Sequence, residues 1–237
     1  MILKNIFPCR HLAVIMDGNG RWAKSKNHSR LFGHIKGAKK AQWIVEACSQ
    51  LNLPYLSLFA LSTENLSRPR SEIITLQKLM EKIFLKRADF FIEKQIKLSF
   101  LGDLSIFSSQ LQNLCQMLCE KTKSNQGLNL IVALNYGGRQ EILQAFQKLA
   151  KRIKDNSIEI KSLNEKNITP FFASSRFPDP DLIIRTGGEV RLSNFYLWSA
   201  SYSEFYFTKT LWPDFDEKEL DLALAHFRKV RRKYGKI

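Results

Sequence analysis

The sequence predicts an α/β fold: one domain, 1–237, with a central, mainly parallel six-stranded sheet flanked by helices. Six short apolar runs recur along the chain, and segments of helical period separate most of them. At 237 residues and 44% hydrophobic content the chain can bury one sizeable core, and no repeat, linker or low-complexity stretch divides it.

The first run, Leu12 to Met16, is continuously apolar, as a strand buried on both faces should be. Gly18 and Gly20 follow it, leaving backbone amides free to face an anion where a helix begins. Helical patterning then runs from Gly33 to Leu51, and a second strand from Tyr55 to Ala60. Ser71 is a fair N-cap for a helix from Ser71 to Lys94. Within it Leu76, Leu79, Met80, Ile83 and Phe84, with Phe90 and Phe91 beyond, form a stripe that packs on the sheet by default. A hydrophobic tunnel would need the same residues. Strands at Lys97 to Leu101 and Asn129 to Leu134 bracket a helix from Ser108 to Lys123, and another helix spans Arg139 to Lys154. The last strands are Leu182 to Ile184 and Glu204 to Phe207. A final helix, Asp216 to Lys233, opens on acids and closes on bases, matching its dipole.

Ligands of such sheets collect at the carboxyl ends of the strands, where Asp17, Ser62 to Arg68, Asn135 to Gly138 and Arg185 to Ser193 fall. Two of these segments read as anion sites: Gly18 to Arg21 after the first strand, and Arg185, a glycine pair, Arg191 and Ser193 after the fifth. Asp17 beside an anion cradle would be repelled unless a cation such as Mg²⁺ lay between them. Two diphosphate-sized sites on one sheet point to a two-substrate enzyme. His34 lies one turn into a helix behind the first of them; His28 and His226 read as exposed or packing residues.

Lys plus Arg number 37 against 22 for Asp plus Glu, a net charge of +15 that favours acidic partners. The lysines are scattered, and only Arg228 to Lys236 forms a dense basic run, suited to peripheral contact with anionic lipid. Nucleic acid is not expected as a partner, because basic and aromatic residues do not interleave. The four cysteines lack CxxC spacing and read as reduced, buried thiols. Neither a signal peptide nor a membrane span is visible, so a cytoplasmic protein, peripheral at most at the inner face of the membrane, is expected.

Gly18 to Ala23 also fits GxGxxA, the dinucleotide-binding pattern, which expects an acid about 20 residues on. The first acid that could serve, Glu64, follows at more than twice that distance, and Walker A is absent.

With these residues in place, the chain resembles the cis-prenyltransferase family. The resemblance covers nearly the whole chain and rests on five blocks: His11 to Ala23 (HLAVIMDGNGRWA), Gly33 to Ala38 (GHIKGA), Ser62 to Pro69 (STENLSRP), Asn135 to Arg139 (NYGGR) and Asp179 to Phe195 (DPDLIIRTGGEVRLSNF). Trp198 and Leu211 to Phe215 extend it. It implies repeated 1'-4 condensation of isopentenyl diphosphate onto an allylic diphosphate, usually farnesyl diphosphate. Each addition creates a cis double bond, and the product is a lipid carrier precursor for cell-wall polysaccharide. It also implies Mg²⁺ as cofactor and a homodimer. Asp17 and Asn65 would be the catalytic pair, with Asp17 and Glu204 at the metal. Gly18, Asn19, Gly20 and Arg21, with Trp22, Arg30 and His34, would hold the allylic diphosphate. Isopentenyl diphosphate would rest on Arg185, Arg191 and Ser193, while Ser62, Asn65 and Arg68 close over the reacting centre, Glu64 contacts substrate and Glu72 moves with that loop. The sequence departs from the bacterial pattern at Leu61, Leu66 and Val190, beside the expected site. A noncatalytic relative that keeps the fold, and a nucleic-acid binder, are the alternatives.

Overall fold

The computed structural model describes residues 9–230. Six strands form a single sheet in the order β3-β4-β2-β1-β5-β6, every pairing parallel. They are β1 (His11–Ile15), β2 (Tyr55–Ser62), β3 (Lys97–Leu101), β4 (Asn129–Tyr136), β5 (Leu182–Arg185) and β6 (Glu204–Phe207). Seven helices accompany them: α1 (Asn19–Ser25), α2 (Arg30–Gln50), α3 (Arg70–Glu93), α4 (Ser109–Thr122), α5 (Gly138–Lys154), α6 (Glu165–Ile168) and α7 (Glu217–Lys229).

Alternation along the strands sorts the core into two layers. Leu12 and Val14 of β1 face a layer filled from α2, α3, α4 and α7, including Ile44, Phe84, Leu118 and Leu224. Ala13 and Ile15 face the other, which holds Phe195, Tyr196 and Tyr136. Glu141 ties α5 to that second face, accepting hydrogen bonds from the Tyr136 hydroxyl (2.6 Å) and the Ser174 amide (2.7 Å).

Ser108 and Asp216 cap α4 and α7 through their side chains, at positions where the sequence starts those helices. Helix α3 differs. It begins at Arg70 behind Pro69, with no side-chain cap, so Ser71 lies inside the first turn and does not cap it. Helix α2 starts three residues before the expected Gly33, because Ser29 accepts a hydrogen bond from the Phe32 amide. The basic run beyond Val230 and the expected end of the last helix at Lys233 lie outside the described residues.

From β1 the chain turns to one side of the sheet, and from β4 it crosses to the other, leaving a switch point between β1 and β5. A crevice opens at the carboxyl ends of those two strands, and there the chain places Asp17 and Arg185.

Candidate active site

At the end of β1 the backbone must turn sharply. Gly18 does so at φ +110°, a conformation open to glycine, and a Cβ there would lie 2.9 Å from Leu211. Asp17 is thereby held beside β5. Its Oδ2 accepts from the Arg185 guanidinium at 3.0 Å, and its Oδ1 lies 3.2 Å from Arg21. Arg185 is the buried member, its side chain 5% exposed. It donates to the Arg191 carbonyl (2.5 Å) and to Ser193 Oγ (2.6 Å), and its Nε is buried without a partner.

These groups line a cleft of about 670 Å³ with Gly18 to Arg21, Arg30, His34, Ser62, Asn65 and Arg68. The two anion segments therefore face one continuous space. Arg21 reaches across between them, donating to the Gly187 carbonyl at 2.6 Å. Ser62 and Asn65 are locked together by reciprocal hydrogen bonds of 3.3 Å that cap a 3-10 turn, Thr63–Ser67. Glu64 lies in an adjoining recess with Arg139 and Asn194 and accepts from the Asn194 amide at 2.6 Å; burial is outweighed by its own backbone amide, Asn194, Ser62 and Thr63, which together hold its carboxyl below the usual range.

On the other flank Glu72 sits between two cations, Arg68 at 3.4 Å and Arg30 at 3.9 Å, with the His34 imidazole at 4.0 Å. Burial, then Arg68, outweigh Glu72 and lower the His34 pKa to about 4. At neutral pH His34 is an uncharged imidazole whose Nε2 is buried without a hydrogen-bond partner. Asn19 Oδ1 is likewise unpartnered. Asn19 fits because α2 carries glycines opposite it: a Cβ on Gly33 would fall 2.1 Å from the Asn19 carbonyl, and one on Gly37 2.0 Å from its Oδ1. The motif GHIKGA is thus a seam that lets α1 lie against α2.

Behind the polar cleft lies an apolar cavity of about 170 Å³. All seven stripe residues, Leu76 to Phe91, line it, so the stripe forms a cavity wall as well as packing. Met16, Asn19, His34, Ala60 and Arg68 line both spaces and form the junction. Ala60 is set there by a register shift in β2 between Phe59 and Leu61.

Three of the candidates lie apart from the others or are engaged with other partners. Glu204 opens β6 level with Leu182, whereas Arg185 pairs with Phe207 at the other end; roughly 10 Å of strand separates the two levels, so one chain does not bring Glu204 to Asp17. Trp22 is buried and donates its indole N–H to Asp214 at 2.7 Å, a packing role rather than a substrate contact. The Arg191 side chain is paired with Glu189 at 2.5 Å, which itself lies 3.7 Å from Arg21 of the cleft, and the Arg191 backbone carbonyl accepts from Arg185. His28, by contrast, edges the cleft, its ring against Phe32. Among the departures, Leu61 lines the cavity, Leu66 packs on the core and Val190 is exposed. Sequence reading missed Trp212, which is fully buried, lines the cavity and donates to the Gly37 carbonyl at 2.9 Å; its signal was the apolar Leu-Trp-Pro run after the last strand.

Comparison with known proteins places this geometry. A profile of the prenyltransferase family, described as undecaprenyl diphosphate synthase, matches residues 15–235. The ditrans,polycis-undecaprenyl-diphosphate synthase ((2E,6E)-farnesyl-diphosphate specific) of Photorhabdus laumondii subsp. laumondii is 42% identical, over 98% of this chain and 91% of its own length. The isoprenyl transferase of Chlorobaculum tepidum is 41% identical, over 96% and 86%. Among solved structures, lavandulyl diphosphate synthase from Lavandula x intermedia in complex with dimethylallyl diphosphate superposes with a TM-score of 0.93 at 34% identity, covering 96% of this chain and 98% of that one.

Proposed function

The chain belongs to the cis-prenyltransferase family, that of the undecaprenyl diphosphate synthases, and on that premise we propose that it extends farnesyl diphosphate with isopentenyl diphosphate to undecaprenyl diphosphate. It is a prenyl chain-elongating transferase. The observation that carries the finer reading is the junction: a cation-lined cleft continuous with a cavity walled by the α3 stripe suits a molecule with a diphosphate head and a hydrocarbon tail.

The amides of Gly18 to Arg21, the Arg30 guanidinium and neutral His34 would hold the allylic diphosphate, whose bond to carbon 1 breaks. Arg185, Ser193, Ser62 and Asn65 would hold isopentenyl diphosphate so that its carbon 4 faces that carbon; the new bond forms, and the proton lost from carbon 2 passes to the released diphosphate. Positive charge developing on the allyl group needs water kept away, and Ala60 and the apolar stripe exclude it from the tail side of the junction. Asp17 is the one carboxylate lining the cleft among the described residues. Mg²⁺ is commonly held by one or two carboxylates with substrate phosphates and water, so Asp17 and two diphosphates fit it. When bound, Mg²⁺ would neutralise charge on the departing diphosphate.

Association as a homodimer belongs to the same proposal by family resemblance, and so does peripheral contact with an anionic membrane, which the net charge of +15 and the lipid product support. No helix among the described residues is long and apolar enough to cross a membrane. The test is incubation with farnesyl diphosphate, radiolabelled isopentenyl diphosphate and Mg²⁺, with and without EDTA, resolving products by length. A metal-dependent polyprenyl ladder is expected; absence of incorporation with either farnesyl or geranylgeranyl starter would leave a binding protein.

A further inference from the structure

One charged side chain stands in the apolar cavity away from its mouth. Arg68 lines the cavity where it meets the cleft, whereas Arg87 lines it from far along α3. Arg87 donates to Gln42 Oε1 at 2.6 Å, lies 3.4 Å from Glu46 Oε1, and stacks over the Phe90 ring at 5.0 Å. Gln42 and Glu46 are one turn apart on α2, so these bonds close the seam between α2 and α3. Gln42 lines the cavity as well.

We propose that Arg87, Gln42 and Glu46 form a polar gate at the deep end of the cavity, which the growing tail must part to pass between α2 and α3. The inference rests on the chain-elongation reading. Arg87 is about 25 Å along α3 from its start at 1.5 Å per residue. A prenyl tail lengthens by about 5 Å per unit, at roughly 1.2 Å per chain bond, so it meets the gate after about five units. At 170 Å³ the cavity is little more than the ~150 Å³ that admits a benzene ring, so the tail must spread α2 and α3 apart on its way to the latch.

Partial exposure makes the latch a gate rather than a floor. The Arg87 and Glu46 side chains are 28% and 40% exposed. Swung outward, both find water, so parting them does not strand a charge in hydrocarbon. A fully buried pair would stop the chain instead.

The test is a time-resolved product ladder from farnesyl diphosphate and labelled isopentenyl diphosphate, for the unaltered chain, Arg87→Leu and Glu46→Gln. The unaltered chain accumulates product near five units before longer ones appear. Arg87→Leu removes that pause and raises the share of longer products severalfold. Glu46→Gln, on the solvent side of the latch, keeps the first two condensations at their original rates and shortens only the later pause, which a general structural defect would not do. Should Arg87→Leu fail to fold, Glu46→Gln decides. Identical ladders from all the folded proteins would overturn the gate alone, whereas no incorporation by the unaltered chain would overturn the elongation reading beneath it.

Discussion

The polar cleft and the apolar cavity meet at five residues, yet they are built by opposite means. In the cleft, several functional groups are held by partners distant in sequence: Asp17 by Arg185, Arg21 by Gly187, Glu64 by Asn194, whereas Ser62 and Asn65 hold each other locally. Glycines at positive φ, Gly18, Gly187 and Gly188, shape the loops that bring them together. The cavity needs no such devices; its wall is one face of α3 against α2 and the sheet. Chemistry therefore depends on a few irreplaceable positions, and chain accommodation on summed side-chain volume.

Replacing the cleft carboxylate should separate the two regions most sharply. Asp17→Ala is expected to lower turnover by on the order of 10²–10³-fold or more, through loss of charge stabilisation at the diphosphate, while leaving prenyl-tail binding measurable by fluorescence displacement. Retained turnover would move the chemistry away from the end of β1.

Acid should act on the buried histidines before it acts on the hydrocarbon wall. His34 and His11 are both lowered to about 4, each chiefly by burial. Unfolded histidine binds a proton near 6.5, so as the pH falls from 6.5 towards 4 the unfolded chain gains protons that the native one refuses. Stability, complete above 6.5, should therefore drop across that window by up to about 3 kcal/mol for each histidine. Urea unfolding at several pH values checks this, and His34→Gln should flatten part of the slope; an unchanged slope would rule the histidine out as its source.

The seam beneath the cleft comes next. Gly33→Ala places a Cβ against the Asn19 backbone, so α1 must shift, at a cost of about 1–3 kcal/mol in chemical denaturation. A wild-type midpoint would show that α1 is not pinned there.

Smallest in rate, though visible in product, is Ala60→Leu. Filling the junction should shorten the ladder and leave the first condensation within a few-fold, as expected where volume rather than charge is at stake. Equal loss at every step would mean that Ala60 serves the cleft and not the tail.

Periodicity carried most of the fold. Apolar-rich runs marked every strand within two residues; β1 is continuous because it is buried on both faces, while the edge strands β3 and β6 carry Lys97, Ser99 and Glu204 and are only partly covered. Its failures were local. Ser71 looked like a cap but Pro69 had already started α3, and α1 escaped definition because its ends are set by Gly18 and the seam glycines of α2 rather than by an amphipathic pattern.

By itself the sequence determined the sheet, its parallel sense, the carboxyl-end location of the site and the types of residue in it, since these follow from local pattern and from which loops follow which strands. The end of the sheet at which Glu204 lies was legible too, as it opens its strand. Tertiary structure alone decided which candidates face the cleft. Trp22 turns inward to Asp214 and Arg191 pairs with Glu189 beside Arg21, while Arg87 bonds to Gln42 between α2 and α3. The reason is physical: a side chain's direction depends on partners that folding brings from elsewhere in the chain, up to 192 positions away for Trp22, and no local spacing encodes that encounter.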